Sequence, residues 1–356
     1  AFPAIGPARF KKLLGEFKTA KSAWEAASFA GGRLAKLIGE GTVGKFKDFR
    51  KGFSVEDYVK KLREKDVWFV TLDDEYPQLL REIKNPPFVL YGKGDPSSLR
   101  SSGPSIAVVG TRKTTQYGRD VTKLLTTQLV NNGFAIVSGL ALGVDAISHM
   151  TALENNGKTI AVLGCGVDCC NPTENQSIYN SIVKSGNCIV SEFPLGMSPT
   201  KWTFPARNRI IAGLSQAVLV TEGAEDSGSL ITAKLALSFG RRVFAVPGPI
   251  TSSMSKGPYK LIAKGAKLVT SGEDIIKSIT GITSTTGIKG RKSIKSIKGD
   301  SPEENKILKL LENEAMHFDE IIQKTGLHSS QIGSILSIME IKGMVKSLDG
   351  GMFSAT

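Results

Sequence analysis

Three hundred and fifty-six residues, 40% of them hydrophobic and 22% charged, suffice for two or three domains with a sizeable core. The formal net charge of +13 is uneven: residues 1–300 hold 41 Lys and Arg against 25 Asp and Glu, and residues 301–356 hold 5 against 8, so affinity for a polyanion belongs to the first 300. No apolar run approaches the roughly 18 residues that span a bilayer, and the start, AFPAIGPARF, lacks the pattern of a signal peptide; both predict a cytoplasmic protein without a membrane partner.

Residues 1–64 alternate short amphipathic patterns with basic residues and glycines, as in IGPARFKKLL and VEDYVKKLRE, and predict a small N-terminal helical domain of SAM or helix-hairpin-helix type. The IGP turn could hold a phosphate on its backbone N–H groups or simply pack. Over 65–283 the pattern changes to β-rich runs, VWFVTL, FVLYGKG, SIAVVG, FAIVSG, TIAVLG, CIVSE, AVLVTE and RRVFAVPG, most of them separated by helical patterns. That alternation predicts an α/β domain with a parallel, Rossmann-like sheet, whose ligands bind beyond the carboxyl ends of the strands. STTGIKGRKSIKSIKGD, 284–300, predicts a flexible basic linker. Residues 301–356 predict three helices and a hairpin turning at Asp349-Gly350-Gly351, a winged helix whose last helix has no cation before Lys342.

The strand ends carry the candidate chemistry. AVVGTRKTTQYGRD sets Gly110, Thr111 and Arg112 in a loop that could cradle a phosphate, with Tyr117 and Gly118 leading into the next helix. It has neither G-x-G-x-x-G nor G-K-[ST], which disfavours a dinucleotide site and ATP hydrolysis. SGLALGVDAISH gives a second loop, from Gly139 to Gly143, and puts Asp145 and His149 at i, i+4; no nucleophile completes a catalytic set around them, so no catalytic residue is assigned. Cys165, Cys169, Cys170 and Cys188 fit no metal-ligand spacing and read as reduced, mostly buried thiols, so neither metal nor cofactor is expected. Lys201, Trp202 and Phe204 offer a cation and two rings that could stack bases or pack in the core. In FPARNRIIAGLS a helix should start near Pro205, which leaves Arg207 and Arg209, flanking Asn208, near the positive end of the helix dipole. A bound phosphate or an internal carboxylate such as Glu192 or Glu222 would offset them. Ser227 and Ser229 in EGAEDSGSLITA are phosphate donors or ordinary caps.

The order of these motifs, GTRKTTQYG, SGLALGVDAISH, TIAVLGCGVDCCNPTEN, SEFPLG, FPARNRIIAGLS, SGSLITAKLA, RRVFAVPGPI and LIAKGA, closely resembles the DprA (Smf) family of DNA-processing proteins, over nearly the whole chain. The resemblance implies an extended Rossmann fold and a homodimer that binds single-stranded DNA without sequence preference and helps load RecA recombinase during natural transformation. It implies a DNA pocket of Gly110, Thr111 and Arg112, shaped by Tyr117 and Gly118, with Arg207, Asn208 and Arg209 as a second wall whose arginines meet backbone phosphates. One departure stands out: KGPYKLI has Pro258 and Tyr259 where relatives usually read G-x-N. Two other readings of the same core are a LOG-like nucleotide hydrolase, whose P-G-G-x-G-T-x-x-E signature is absent, and a nucleotide-sensing module.

Overall fold

The computed structural model describes residues 2, 5–26, 31–100, 103–281, 299–311, 315–348 and 350–355. Most of the predicted linker, and Asp349 of the predicted hairpin turn, lie outside the described residues. The chain divides into two compact units, Ala1–Thr283 and Ser284–Thr356.

The first unit opens with five helices, α1 (Pro7–Phe17), α2 (Ala20–Ala26), α3 (Gly31–Ile38), α4 (Glu40–Lys51) and α5 (Val55–Glu64). Pro7 occupies the first helical position, where its missing N–H costs nothing, and the Ser54 side chain caps α5 by accepting the Asp57 N–H at 3.1 Å. Leu13, Leu34, Ile38, Val43 and Phe46 close a small core among α1, α3 and α4. A second cluster, Leu62, Val67, Tyr91 and Val167, joins α5 to the sheet, so the helical segment and the α/β segment form one compact unit.

The sheet runs through β1 (Val67–Thr71), β2 (Val89–Gly94), β3 (Ser105–Val109), β4 (Ala135–Ser138), β5 (Thr159–Val162), β6 (Cys188–Ser191), β7 (Ala217–Val220), β8 (Arg242–Ala245) and β9 (Lys267–Leu268). Their spatial order is β1-β2-β6-β5-β4-β3-β7-β8-β9; β3 to β9 are parallel to one another, β2 pairs antiparallel with β6, and β1 pairs antiparallel with β2 at that edge. The chain winds outward from β3 to β6, then crosses back to β7, which sits beside β3. This is the extended Rossmann-like sheet of the sequence reading, and its topological switch point lies between β3 and β7.

Eight helices accompany the strands: α6 (Gln78–Arg81), α7 (Gln116–Asn131), α8 (Val144–Glu154), α9 (Gln176–Lys184), α10 (Thr203–Gly213), α11 (Ser229–Ser238), α12 (Lys256–Ile262) and α13 (Gly272–Thr280). Strand residues alternate between two faces, as the pleat requires. Ala107, Val109, Val137, Val162, Val218 and Val220 face α6, α10, α11 and α12; Ile106, Val108, Ile136 and Leu219 face α7, α8 and α13; Ala161 and Ile189 face α8 and α9. Both faces are covered, which is why these strands read as unbroken apolar runs.

The second unit is a winged helix of α14 (Pro302–Leu310), β10 (Met316–His317), α15 (Phe318–Thr325), α16 (Ser329–Ile341), β11 (Val345–Leu348) and β12 (Met352–Ala355). Its core contains Ile307, Ile321, Ile332, Leu336 and Met339. Lys342, which follows α16, is held by Asp300 at 2.7 Å and Glu304 at 2.8 Å.

Candidate nucleic-acid interface

Three strand-end loops are locked together at the switch point. The Thr111 N–H donates to the Glu222 carbonyl at 2.8 Å, which ties the loop after β3 to the end of β7, and the Val144 N–H donates to the Thr111 carbonyl at 3.2 Å, which ties it to the start of α8. Only glycine fits at Gly110 and Gly143: a β-carbon at Gly110 would overlap the Val144 side chain, and one at Gly143, whose φ is +76°, would overlap the Thr111 carbonyl. These contacts aim Arg112 outward. Its exposed guanidinium lies 5.4 Å from the centroid of the Phe204 ring, a cation–π contact that joins the β3 loop to α10. Phe204 in turn rests against Gly164, 3.1 Å from where a β-carbon would stand.

Behind Phe204 the structure buries Arg207, which is 5% exposed. Its Nη1 donates to the Val162 carbonyl at 3.0 Å, and Gly139 lacks a side chain at the place where one would collide with that guanidinium. Its Nε is buried with no hydrogen-bond partner among the described residues. Burial lowers the Arg207 pKa, the Asp145 charge opposes that shift, and the nearby Arg112 charge adds to it. Asp145 is buried as well; its Oδ2 accepts the N–H groups of Gly139 at 3.1 Å and Ala141 at 3.4 Å and so fixes the second loop. His149 is not Asp145's acid–base partner. Its Nδ1 meets Thr159 Oγ1 at 2.7 Å, and burial, reinforced by Arg207, pushes its pKa down to about 3.

Helix α10 begins at Thr203, two residues before the expected start, with Thr203 Oγ1 accepting the Thr200 N–H at 3.0 Å and donating to its carbonyl at 2.9 Å. Arg207 and Arg209 do not make one wall with Asn208: two residues apart on a helix of 3.6 residues per turn, they leave on opposite sides. Arg209 binds Glu192 in a bidentate pair of 2.9 and 2.5 Å, with side-chain exposures of only 14% and 10%. Burial raises the Glu192 pKa and Arg209 pulls it back. An internal carboxylate, not a phosphate, therefore offsets Arg209, because Glu192 at the end of β6 reaches it first. Asn208 is half-buried, and Lys201 and Trp202 are exposed before the helix.

The start of α7 is likewise occupied from within. Glu222, 3% exposed, accepts the Thr115 N–H at 3.0 Å and the Thr115 hydroxyl at 2.6 Å, while Thr115 Oγ1 accepts the Gly118 N–H at 3.1 Å. A side chain at Gly118 would strike that carboxylate. The Tyr117 hydroxyl donates to the Pro247 carbonyl, and the Tyr259 hydroxyl to the Gly248 carbonyl, so the PYK variant supplies its own polar contact at this rim. Ser227 and Ser229 pair hydroxyl to hydroxyl at 2.8 Å, beside Gly223 at the end of β7. Sequence reasoning singled out Gly110, Thr111, Arg112, Gly139 and Phe204, which the structure brings together with Arg207. It missed Gly164 as the seat of Phe204, although a glycine at a strand end is a visible signal, and Asp145 as the tie of the second loop.

Residues 68–280 match the family model for DNA recombination-mediator protein A, and residues 294–351 match that for the DprA winged helix domain. The chain is 40% identical over 281 residues to Protein Smf of Synechocystis, covering 78% of this chain and 70% of that protein. It is 46% identical over 205 residues to DNA processing protein DprA of Bacillus subtilis, covering 58% and 68%. The solved structure of DprA from Streptococcus pneumoniae aligns with a TM-score of 0.67 at 36% identity, over 77% of this chain and 94% of that one. DNA processing protein A from Helicobacter pylori, whose structure was described for its single-stranded DNA binding mode, aligns with a TM-score of 0.54 at 33% identity, over 60% and 96%. With both its sheet domain and its winged helix matched, the chain belongs to the DprA (Smf) family of DNA recombination-mediator proteins.

Proposed function

We propose that the protein binds single-stranded DNA without sequence preference across the loops after β3, β4 and β7, as a carrier of the strand and not as an enzyme. The observation that carries this reading is the Arg112–Phe204 pair: a planar cation and an aromatic ring, held together at the mouth of the crevice, offer a phosphate contact and a stacking platform side by side. Arg207 supplies positive charge from behind, Lys201 adds an exposed cation, and Asn208 offers an amide at the same helix start. Gly110 and Gly139, whose missing side chains make room for Val144 and Arg207, bring two loops together around Thr111; Tyr117, Gly118, Ser227 and Ser229 shape the rim. The net charge of the first 300 residues and the family relationship to the Helicobacter pylori protein support the same reading. Homodimerisation and delivery of the strand to RecA recombinase rest on the family resemblance alone.

Glu222 weighs against the nucleotide-hydrolase and nucleotide-sensing readings. A Rossmann-type sheet holds its nucleotide phosphates at the start of the first helix, and here a carboxylate of the chain fills that place. Fluorescence anisotropy on a series from mononucleotide to long oligothymidylate tests the proposal. Affinity should climb with length; affinity already at its limit with one nucleotide would refute it.

A further inference from the structure

A cavity of about 450 Å³ lies between the N-terminal helices, the loop before β2 and the side of α10 turned away from Arg207. That volume falls in the roughly 300–1,000 Å³ range of sites for small organic ligands. Its walls are aromatic. Phe10 and Phe88 meet edge to face at 4.6 Å, Trp24 and Phe46 at 5.5 Å, and Phe193 and Trp202 at 5.8 Å. Polar groups enter this apolar space through the Glu192–Arg209 pair and Asn85. Each Glu192 oxygen accepts one N–H from Arg209, and a carboxylate has about four acceptor positions, so both oxygens keep acceptor capacity for a ligand that donates.

Flat faces for stacking and a buried acceptor for an N–H edge describe a nucleobase. The mouth fits one attached to a strand: Trp202 is 55% exposed there, beside the exposed Lys201, and Phe204, two residues further along, faces Arg112. We infer that this cavity receives one base turned out of the bound strand, with Glu192 accepting from the N–H edge that every base presents and Lys201 meeting the adjoining phosphate. The inference rests on the strand-binding reading above and adds to it a second, separate contact. Arg209, on the face of α10 opposite Arg207, holds the Glu192 carboxyl group in place at the cavity wall.

The test uses the full chain and an oligothymidylate carrying a single 2-aminopurine, with two blocking variants, Ala206→Phe on α10 and Ala8→Phe at an exposed position of α1, each checked for an unchanged melting temperature. Binding to the unmodified protein should change the 2-aminopurine fluorescence. Either block should abolish that change and weaken binding about fivefold or more. Guanosine monophosphate should quench tryptophan fluorescence of the unmodified protein and not of the blocked ones. Arg112→Ala should weaken binding and leave the 2-aminopurine change intact at saturation. Equal signal and equal affinity in the blocked variants would overturn the cavity assignment and leave the crevice standing. An unmodified protein that binds no strand would refute the crevice reading, and the guanosine monophosphate titration would still decide the cavity.

Discussion

Arg112 and Arg207 carry the same charge in opposite surroundings, and replacing them should have different effects. Arg112 is exposed and its guanidinium packs on a ring, so Arg112→Ala should leave the melting temperature nearly unchanged and cost about 1.5–3 kcal/mol of strand affinity, with Arg112→Lys restoring part because it keeps the charge and loses the planar fork. Arg207 is buried and holds the Val162 carbonyl, so Arg207→Ala should lower thermal stability and weaken binding together, by about 1–3 kcal/mol in each, in paired melting and anisotropy measurements on the same preparation. His149 gives a pH signature. Its pKa falls from 6.5 to about 3 on folding, so the unfolded chain takes up a proton first, and the stability that His149 contributes is complete above pH 6.5 and lost as the pH falls toward 3. The loss should approach about 1.4 kcal/mol per pH unit within that window, and His149→Gln should flatten it in melting curves taken between pH 6.5 and 4.5.

Helix α10 shows how much of an element is legible before its partners are known. Its apolar face of Ile210 and Ile211, and the conflict between its arginines and its dipole, were both readable in FPARNRIIAGLS. Which arginine met which anion was not, because Glu192 lies 17 residues upstream on another element and only folding brings it alongside. Arg209→Ala should leave that carboxylate buried and unpaired, at a cost of about 3–5 kcal/mol. Arg209 pulls the Glu192 pKa down, so its loss should raise that pKa further, and the deficit should be full where the variant's carboxyl is ionised and shrink as acid protonates the stranded group. Melting temperatures of the variant and the parent should therefore converge as the pH falls; a gap that stays constant with pH would contradict this assignment. The central strands β3 to β7 were legible for a simpler reason: they are runs of mostly β-branched or aliphatic residues, buried because both faces of the sheet are covered. β9 and β10 were not, since two residues such as Lys267 and Leu268, both exposed, carry no period to read.

At the scale of the whole molecule, charge separates residues 301–356, which carry 5 Lys and Arg against 8 Asp and Glu, from the 300 before them. The winged helix is net negative, and Lys342 after α16 is already paired with two carboxylates, so deleting residues 301–356 should leave strand affinity intact in anisotropy titrations. Binding by the remainder should weaken with salt: if about 4–6 phosphates are neutralised, log K against log salt should slope at about −3 to −4. The sequence could show this asymmetry of charge and the alternation of strands and helices along the chain, because both are sums over local patterns. It could not show the seat of Phe204 on Gly164 or the cavity beside α10, since both are made where distant segments meet.

One such meeting bears on which anions can reach the site. Glu222 lies 107 residues from Thr115 along the chain, yet it fills the start of α7 permanently, as a tethered anion that no dilution removes. Free nucleotides, however abundant, must compete there with a group at fixed local concentration. ATP should therefore alter oligonucleotide affinity no more than an equal ionic strength of sodium chloride, while Glu222→Gln should make the same protein sensitive to it.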